Sequence, residues 1–398
     1  MRFGTLAAVL AVAGCGGNPP TGPDLVDVPL DGLTLEQRLA FDRGDELFDL
    51  PLRPADGLGP LYIRQSCSGC HTEALRGPGS VQKMAIVEAD GVTPAADQSA
   101  LPWGHTVRPF AISGASTPLQ PPAGNASLKL SVRVGPPALG LGYLEAIADE
   151  EIERVAAEQA GRADGIHGTV NRTTYRSEPN PDSPYQHHQP GDPVIGRFGL
   201  KARLATLDEF TADALQGDMG ITNPLRPGEL PNPDGVTDDA RPGVDVGLSS
   251  VNVRADYLRM VAIPERRGLT ERGRALFASA GCAVCHVPAL HTRADYPLAP
   301  LADIDAPVYT DMLLHRMGTA LADGLSGEGQ AGSMQWRTAP LIGLRFNYNY
   351  LHDGRAGSVE EAITGHAGEG SEANPSVGLF NQLSSGDRQA LLDFVEAL

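Results

Sequence analysis

Two five-residue stretches, Cys67-Ser68-Gly69-Cys70-His71 and Cys282-Ala283-Val284-Cys285-His286, repeat one pattern in a chain of 398 residues. Two thiols three positions apart can form thioethers to both vinyl groups of one haem, and the histidine that follows is placed to ligate the iron. A single Cys-x-x-Cys reads equally well as a redox dithiol or half of a zinc site. The histidine closing both copies shifts the reading to covalent haem: Cys67, Cys70, Cys282 and Cys285 as attachment points, His71 and His286 as iron ligands. The expected cofactors are two covalently attached haems c.

The segments leading into the motifs repeat as well. Leu33-Thr34-Leu35-Glu36 runs on to Gly44-Asp45-Glu46-Leu47-Phe48, and Leu269-Thr270-Glu271 runs on to Gly273-Arg274-Ala275-Leu276-Phe277. Each reads as a short helix with a Thr cap, an early Glu and an apolar Leu-Phe end, as expected for the helix that enters the haem-binding turn of a class I cytochrome c domain. In the first copy residues 49–66 are inserted before the motif. At the other end of the chain, Ser384-Ser385-Gly386-Asp387 precedes Leu391, Leu392, Val395 and Leu398 at helical spacing, the pattern of a terminal helix packed across the first. Between the motifs lie two helix candidates, 143–159 and 200–216, and two Pro- and Asp-rich stretches, 177–193 and 223–242, that read as surface loops. The predicted fold is mostly α, with long loops. It comprises two class I cytochrome c-like domains, one over residues 33–262 with large insertions and one over residues 263–398, each wrapped around one covalent haem.

The amino terminus and the composition add a location and exclude a partner. Arg2 precedes an apolar run over residues 6–14 that ends at Cys15. This run is too short to span a bilayer and has the charged start and small-residue end of a secretory signal. Val12-Ala13-Gly14-Cys15 resembles the bacterial lipobox, in which the cysteine is lipidated, and Gly16 after it resembles outer-membrane sorting. Residues 1–15 are thus expected to be a lipoprotein signal with its lipidation Cys15, and 16–32 a tether. The protein is expected at the outer membrane, facing the periplasm or the cell surface, and touching the membrane only through its lipid. With one cysteine on lipid and four on haem, none of the five remains for a disulfide. A net charge of -18 argues against a phosphate-backbone partner. The 5% aromatic content fits a chain in which two macrocycles supply flat apolar bulk.

Further stretches carry a family resemblance: Arg133-Val134-Gly135-Pro136-Pro137 with Gly140-Leu141-Gly142-Tyr143; Gly196-Arg197-Phe198-Gly199 with Asp218-Met219-Gly220; and Trp336-Arg337-Thr338-Ala339-Pro340-Leu341 with His352-Asp353-Gly354-Arg355. From about residue 33 to 398 the sequence resembles the bacterial di-haem cytochrome c peroxidase superfamily, and within it the di-haem oxidoreductases named for peroxidase or thiol oxidoreductase activity. The resemblance implies electrons entering from a small redox protein, a cytochrome c or a cupredoxin with a basic docking patch, at the C-terminal haem and passing to the N-terminal haem, where peroxide is reduced. The alternatives are a pure electron-transfer di-haem cytochrome and an oxidase of a thiol or protein side chain.

The resemblance also assigns residues. The sixth ligand of the C-terminal haem falls on His366, with Met317 as competitor. The acid-base group before Met falls on Asp218, where the family pattern has Glu, with Arg197 as its charge partner. Arg355 is a candidate for haem propionates. Thr338 and Pro340 match a segment whose carbonyls hold calcium, an oxygen-rich site suited to that hard cation. His105, His187 and His188 are candidates to cap the N-terminal iron, and Trp336 or Trp103 for a relay between the haems.

Overall fold

The computed structural model describes residues 26–77, 79–114, 117–236 and 243–398; the predicted signal, Cys15 and most of the tether lie outside them. Helix α1 (Leu35–Asp49) starts where Thr34 Oγ1 accepts from the Gln37 amide and the Gln37 side chain accepts from the Thr34 amide, a reciprocal cap. Helices α2 (Leu141–Ala146) and α3 (Asp149–Ala160) replace the single helix expected over 143–159. Ile147 and Ala148 between them are extended, and the Ile147 carbonyl accepts from the Arg197 guanidinium (2.7 Å) instead of continuing the helical ladder. Helix α4 (Leu207–Met219) starts seven residues later than the 200–216 expectation. Its Thr206 cap accepts from the Glu209 amide, while residues 198–204 fold back in a turn with Ala202 at φ 50°.

Helix α5 (Leu248–Met260) packs across α1, and α6 (Glu271–Ser279), capped by Thr270, is crossed in the same manner by the final helix, α9 (Ser385–Glu396). Glycine makes both crossings possible. A Cβ on Gly44 would lie 2.4 Å from Tyr257 Cβ and 2.8 Å from the Val253 carbonyl oxygen; one on Gly273 would lie 2.4 Å from Phe394 Cβ and 2.9 Å from the Ala390 oxygen. Aromatic rings close each crossing, Phe41 and Phe48 on Tyr257 (5.2 and 5.1 Å) and Phe277 on Phe394 (5.5 Å). Helices α7 (Val359–Gly365) and α8 (Asn374–Asn381) complete the C-terminal region.

Every sheet among the described residues is a two-stranded antiparallel ribbon. The longest pairs Ser80–Ile86 with Leu128–Val134, from Ser80 against Val134 to Ile86 against Leu128. The largest apolar core crosses the 262/263 boundary, joining Leu144, Ile152 and Tyr257 to Leu290, Val308, Leu313 and Ile342. A second core is formed by α6, α9 and their neighbours. No helix among the described residues is long and apolar enough to cross a membrane.

Candidate functional site

Both five-residue motifs open on one connected cavity of about 410 Å³. The first forms a single turn, with the Cys70 and His71 amides both donating to the Cys67 carbonyl. In the second, Cys285 and His286 donate to the Cys282 carbonyl after Gly281 in the left-handed region (φ 78°). Such turns put both thiols and the histidine on the cavity wall. The loop after the first motif closes tightly, since a Cβ on Gly79 would meet Cys70 Sγ at 2.4 Å. Gly135 is the seat of His71, its hypothetical Cβ only 2.9 Å from the ring.

The chemistry of these groups fits haem better than a redox dithiol. All four cysteines are unpaired, and loss of water pushes the Cys70 thiol up to about 11 and Cys282 to about 12, away from the low values of reactive thiols. The same desolvation pushes His71 and His286 down to about 4, so both rings are neutral, as ligands must be. The buried His71 ring is approached by the backbone of Pro136 and Leu75. His286 Nδ1 lies 3.2 Å from the Tyr309 carbonyl oxygen, which leaves Nε2 for a metal, the orienting bond expected of a ligating histidine. His366, on the same wall, repeats the arrangement with Nδ1 2.6 Å from the Ala362 oxygen, and desolvation lowers its pKa also. Met317 lines the cavity as well.

Asp218 lies beside Cys70 on the cavity wall, and its carboxyl is pushed up to about 6. Desolvation dominates, with Asp213 adding to the shift and Lys83 and Arg203 opposing it. The backbone beneath is fixed, since the Asp218 carbonyl accepts from the Ile63 amide at 2.6 Å. Arg197 is elsewhere. Its guanidinium pairs with Asp149 (2.6 Å) and bonds the Ile147 carbonyl, closing the α2–α3 break outside the cavity lining. The guanidinium on the wall beside Asp218 is Arg203, paired with Asp213, also on the wall, and 3.7 Å from Glu328. Arg203 and Lys83 escaped the sequence reading, although Arg203 follows the family stretch around Gly196-Arg197 by a few residues.

The remaining candidates separate in the same way. Arg355 is exposed, bound to Asp353 and the Ala320 carbonyl, and does not line the cavity; Arg64, Arg76 and Arg254 do. Arg254 is almost wholly buried, with its Nε unpartnered. Of the histidines proposed to cap the first iron, His105 bonds the Met84 carbonyl, His188 packs against Tyr175 with the rings tilted at 45° and His187 is exposed; none reaches the cavity. Trp336 is buried on the wall and stacks on His352 at 3.8 Å, whereas Trp103 is 38% exposed. His315, unremarked between Leu314 and Arg316, is an imidazolium: Asp311 (2.8 Å) and Glu372 (2.9 Å) take its two ring nitrogens and hold its pKa well above the ordinary value. It approaches Cys285 Sγ at 3.8 Å but has no lone pair to give a metal.

Calcium does not fit Thr338, one of the two residues, with Pro340, matched to it. The Thr338 carbonyl accepts from Thr310 Oγ1 (2.7 Å) and from the Arg337 guanidinium (3.2 Å), so its two lone pairs are already engaged, one of them by a cation.

A family model described as "Di-haem oxidoreductase, putative peroxidase" matches residues 123–398. No curated protein is significantly similar in sequence. Similar solved structures include hydrazine synthase of Kuenenia stuttgartiensis (13% identity, 99% of this chain and 100% of that one, TM-score 0.36). Two others are a MauG-like protein associated with microbial copper homeostasis (18%, 96% and 94%, 0.40) and a variant of the diheme peroxidase BthA from Burkholderia thailandensis (15%, 90% and 85%, 0.39). With both haem motifs on one cavity and the family match spanning more than half of its length, the chain belongs to the di-haem oxidoreductases.

Proposed function

We propose that the protein reduces peroxide at its N-terminal motif with electrons that a small redox protein delivers at its C-terminal motif, each motif holding one covalent haem c in a cytochrome c-like module, residues 33–262 and 263–398. The difference between the two ends of the cavity carries this reading. At the C-terminal end are two neutral histidines, His286 and His366, each with Nδ1 held by a backbone carbonyl. Both would be available to hold the iron of a haem bound there, and a histidine in place of Met would suit that site to electron transfer at a lower reduction potential. At the N-terminal end the wall brings a carboxylate and a guanidinium instead, Asp218 and Arg203.

Haem, when bound, supplies redox-active iron at which the O–O bond of peroxide can be cleaved. Hydrogen peroxide takes up two electrons and two protons to give two waters, so the chain's own task is to move protons and bear charge. Asp218, ionised above about pH 6, takes the proton from one peroxide oxygen and returns it to the departing one. Arg203, oriented by Asp213, stabilises negative charge developing on that oxygen. Arg64, Arg76 and Arg254 are the cations available to propionates, in place of Arg355.

The donor's place is beside the second motif, where Ala283, Val284 and Val287 meet Arg154, Glu158 and Gln159 of α3 in a shallow pocket. On the same helix Asp149, Glu151 and Glu153 are paired with Arg197, Arg154 and Arg172, so it is the net charge of -18, rather than this helix, that suits a cytochrome c or cupredoxin with a basic patch. A lipid on Cys15 would hold the protein at the outer membrane. Stopped-flow addition of hydrogen peroxide to the half-reduced and fully reduced holoprotein tests the proposal. Reoxidation faster than that of free haem is expected, with a high-spin ferric signal from the N-terminal site alone and a second one in His366→Ala. No acceleration in either form would overturn the reading, and a ferric spectrum without high-spin haem would leave an electron carrier.

A further inference from the structure

The Thr338 carbonyl, which fails to suit calcium, is held by a side-chain cation instead. Arg337 is buried, and its guanidinium reaches in two directions: Nε donates to the Gly199 carbonyl (3.2 Å) and Nη1 to the Thr338 carbonyl (3.2 Å). Its backbone amide adds a third tie, to the Leu200 carbonyl at 3.0 Å. Gly199 and Leu200 belong to the N-terminal half and Thr338 to the C-terminal half, and Arg337 also lines the cavity between the two motifs. Each acceptor is otherwise satisfied once, Thr338 by Thr310 Oγ1 and Gly199 by the Ala202 amide (3.2 Å), so the guanidinium completes both carbonyls.

The carboxylate whose charge bears on Arg337, Asp311, is also spent. Asp311 is fully buried and accepts from Gln159 (2.8 Å), His315 (2.8 Å) and the Leu313 amide (2.9 Å). A divalent cation brought here would face a fixed positive charge with no free anionic ligand, an arrangement that repels it. A planar fork with fixed donors suits two carbonyls on different segments, where a compact ammonium could not span both.

We propose that Arg337 is a built-in cation that joins the two halves of the protein across the haem cavity, so that this chain couples its halves without calcium. It is a positioning residue, and the proposal does not depend on the identity of the oxidant. The test uses the holoprotein. After chelation with EGTA, adding back calcium chloride should leave the thermal midpoint, the ferric spectrum and the inter-haem electron-transfer rate unchanged. In Arg337→Ala the midpoint should fall and inter-haem transfer should slow several-fold, and guanidinium chloride below denaturing concentrations should restore both, where sodium chloride at equal ionic strength does not. Arg337→Lys should recover only part.

A calcium-dependent shift of any of these properties in the wild type would overturn the proposal, as would an Arg337→Ala protein with wild-type midpoint and rate, or one that guanidinium fails to restore. If Arg337→Ala does not fold, the wild-type calcium titration and the Arg337→Lys protein still decide.

Discussion

Asp218 carries the demand on a single side chain. Its carboxyl, pushed up to about 6, faces Lys83, Arg203, Asp213 and Cys70, so the pH dependence belongs to this group in that setting. As the acceptor of a peroxide proton it must be ionised, and peroxide turnover should rise with pH through about 6. Asp218→Asn should remove that limb and lower the rate by roughly 10²- to 10⁴-fold, the usual worth of a positioned acid-base group. Stability runs the other way. The folded protein holds the proton to higher pH than the unfolded chain, whose value is near 3.8, so the stabilisation present below that value is lost as pH rises through about 6. Asp218→Asn should therefore melt higher than wild type at about pH 8 and not at about pH 4, and thermal melts at both values check it. The placing of Asp218, His71, His286 and His366 on one cavity wall was legible because motif spacing or family position names them. Arg203 was not, since pairing with Asp213 across ten residues of turn and helix is a property of the folded chain. Arg197 misled for the same reason, its charge being spent on Asp149.

The helices before the motifs were readable from their caps and Leu-Phe ends, and what the structure adds is the reason for their shared glycine. Alanine is the better helix former by about 1 kcal/mol, so Gly44→Ala and Gly273→Ala would stabilise if propensity ruled. With the new Cβ 2.4 Å from an aromatic residue's Cβ in each case, overpacking should win and both variants should lose about 1–3 kcal/mol in chemical denaturation. A gain in either would show the crossing to be compliant. Other elements left little trace in sequence. The Ser80–Ile86 and Leu128–Val134 ribbon alternates Lys, Gln, Ser and Arg among its apolar residues, and its partners lie more than forty residues apart, so nothing local announces the pairing. The break between α2 and α3 depends on Arg197 capturing the Ile147 carbonyl from a distant segment, which periodicity over 143–159 cannot report.

Over the whole protein, charge and connectivity set the kinetics. A net charge of -18 should draw a basic donor, with a bimolecular reduction rate that falls as salt is raised. A rate indifferent to ionic strength would remove charge from the account of docking. The internal step has a different character. Both motifs open on one cavity, the largest apolar core runs through both halves, and Arg337 ties them together. Exchange between the two ends is therefore first order. Diluting the protein a thousandfold leaves its rate constant untouched while starving the encounter that feeds it, and dilution alone can tell which of the two governs turnover.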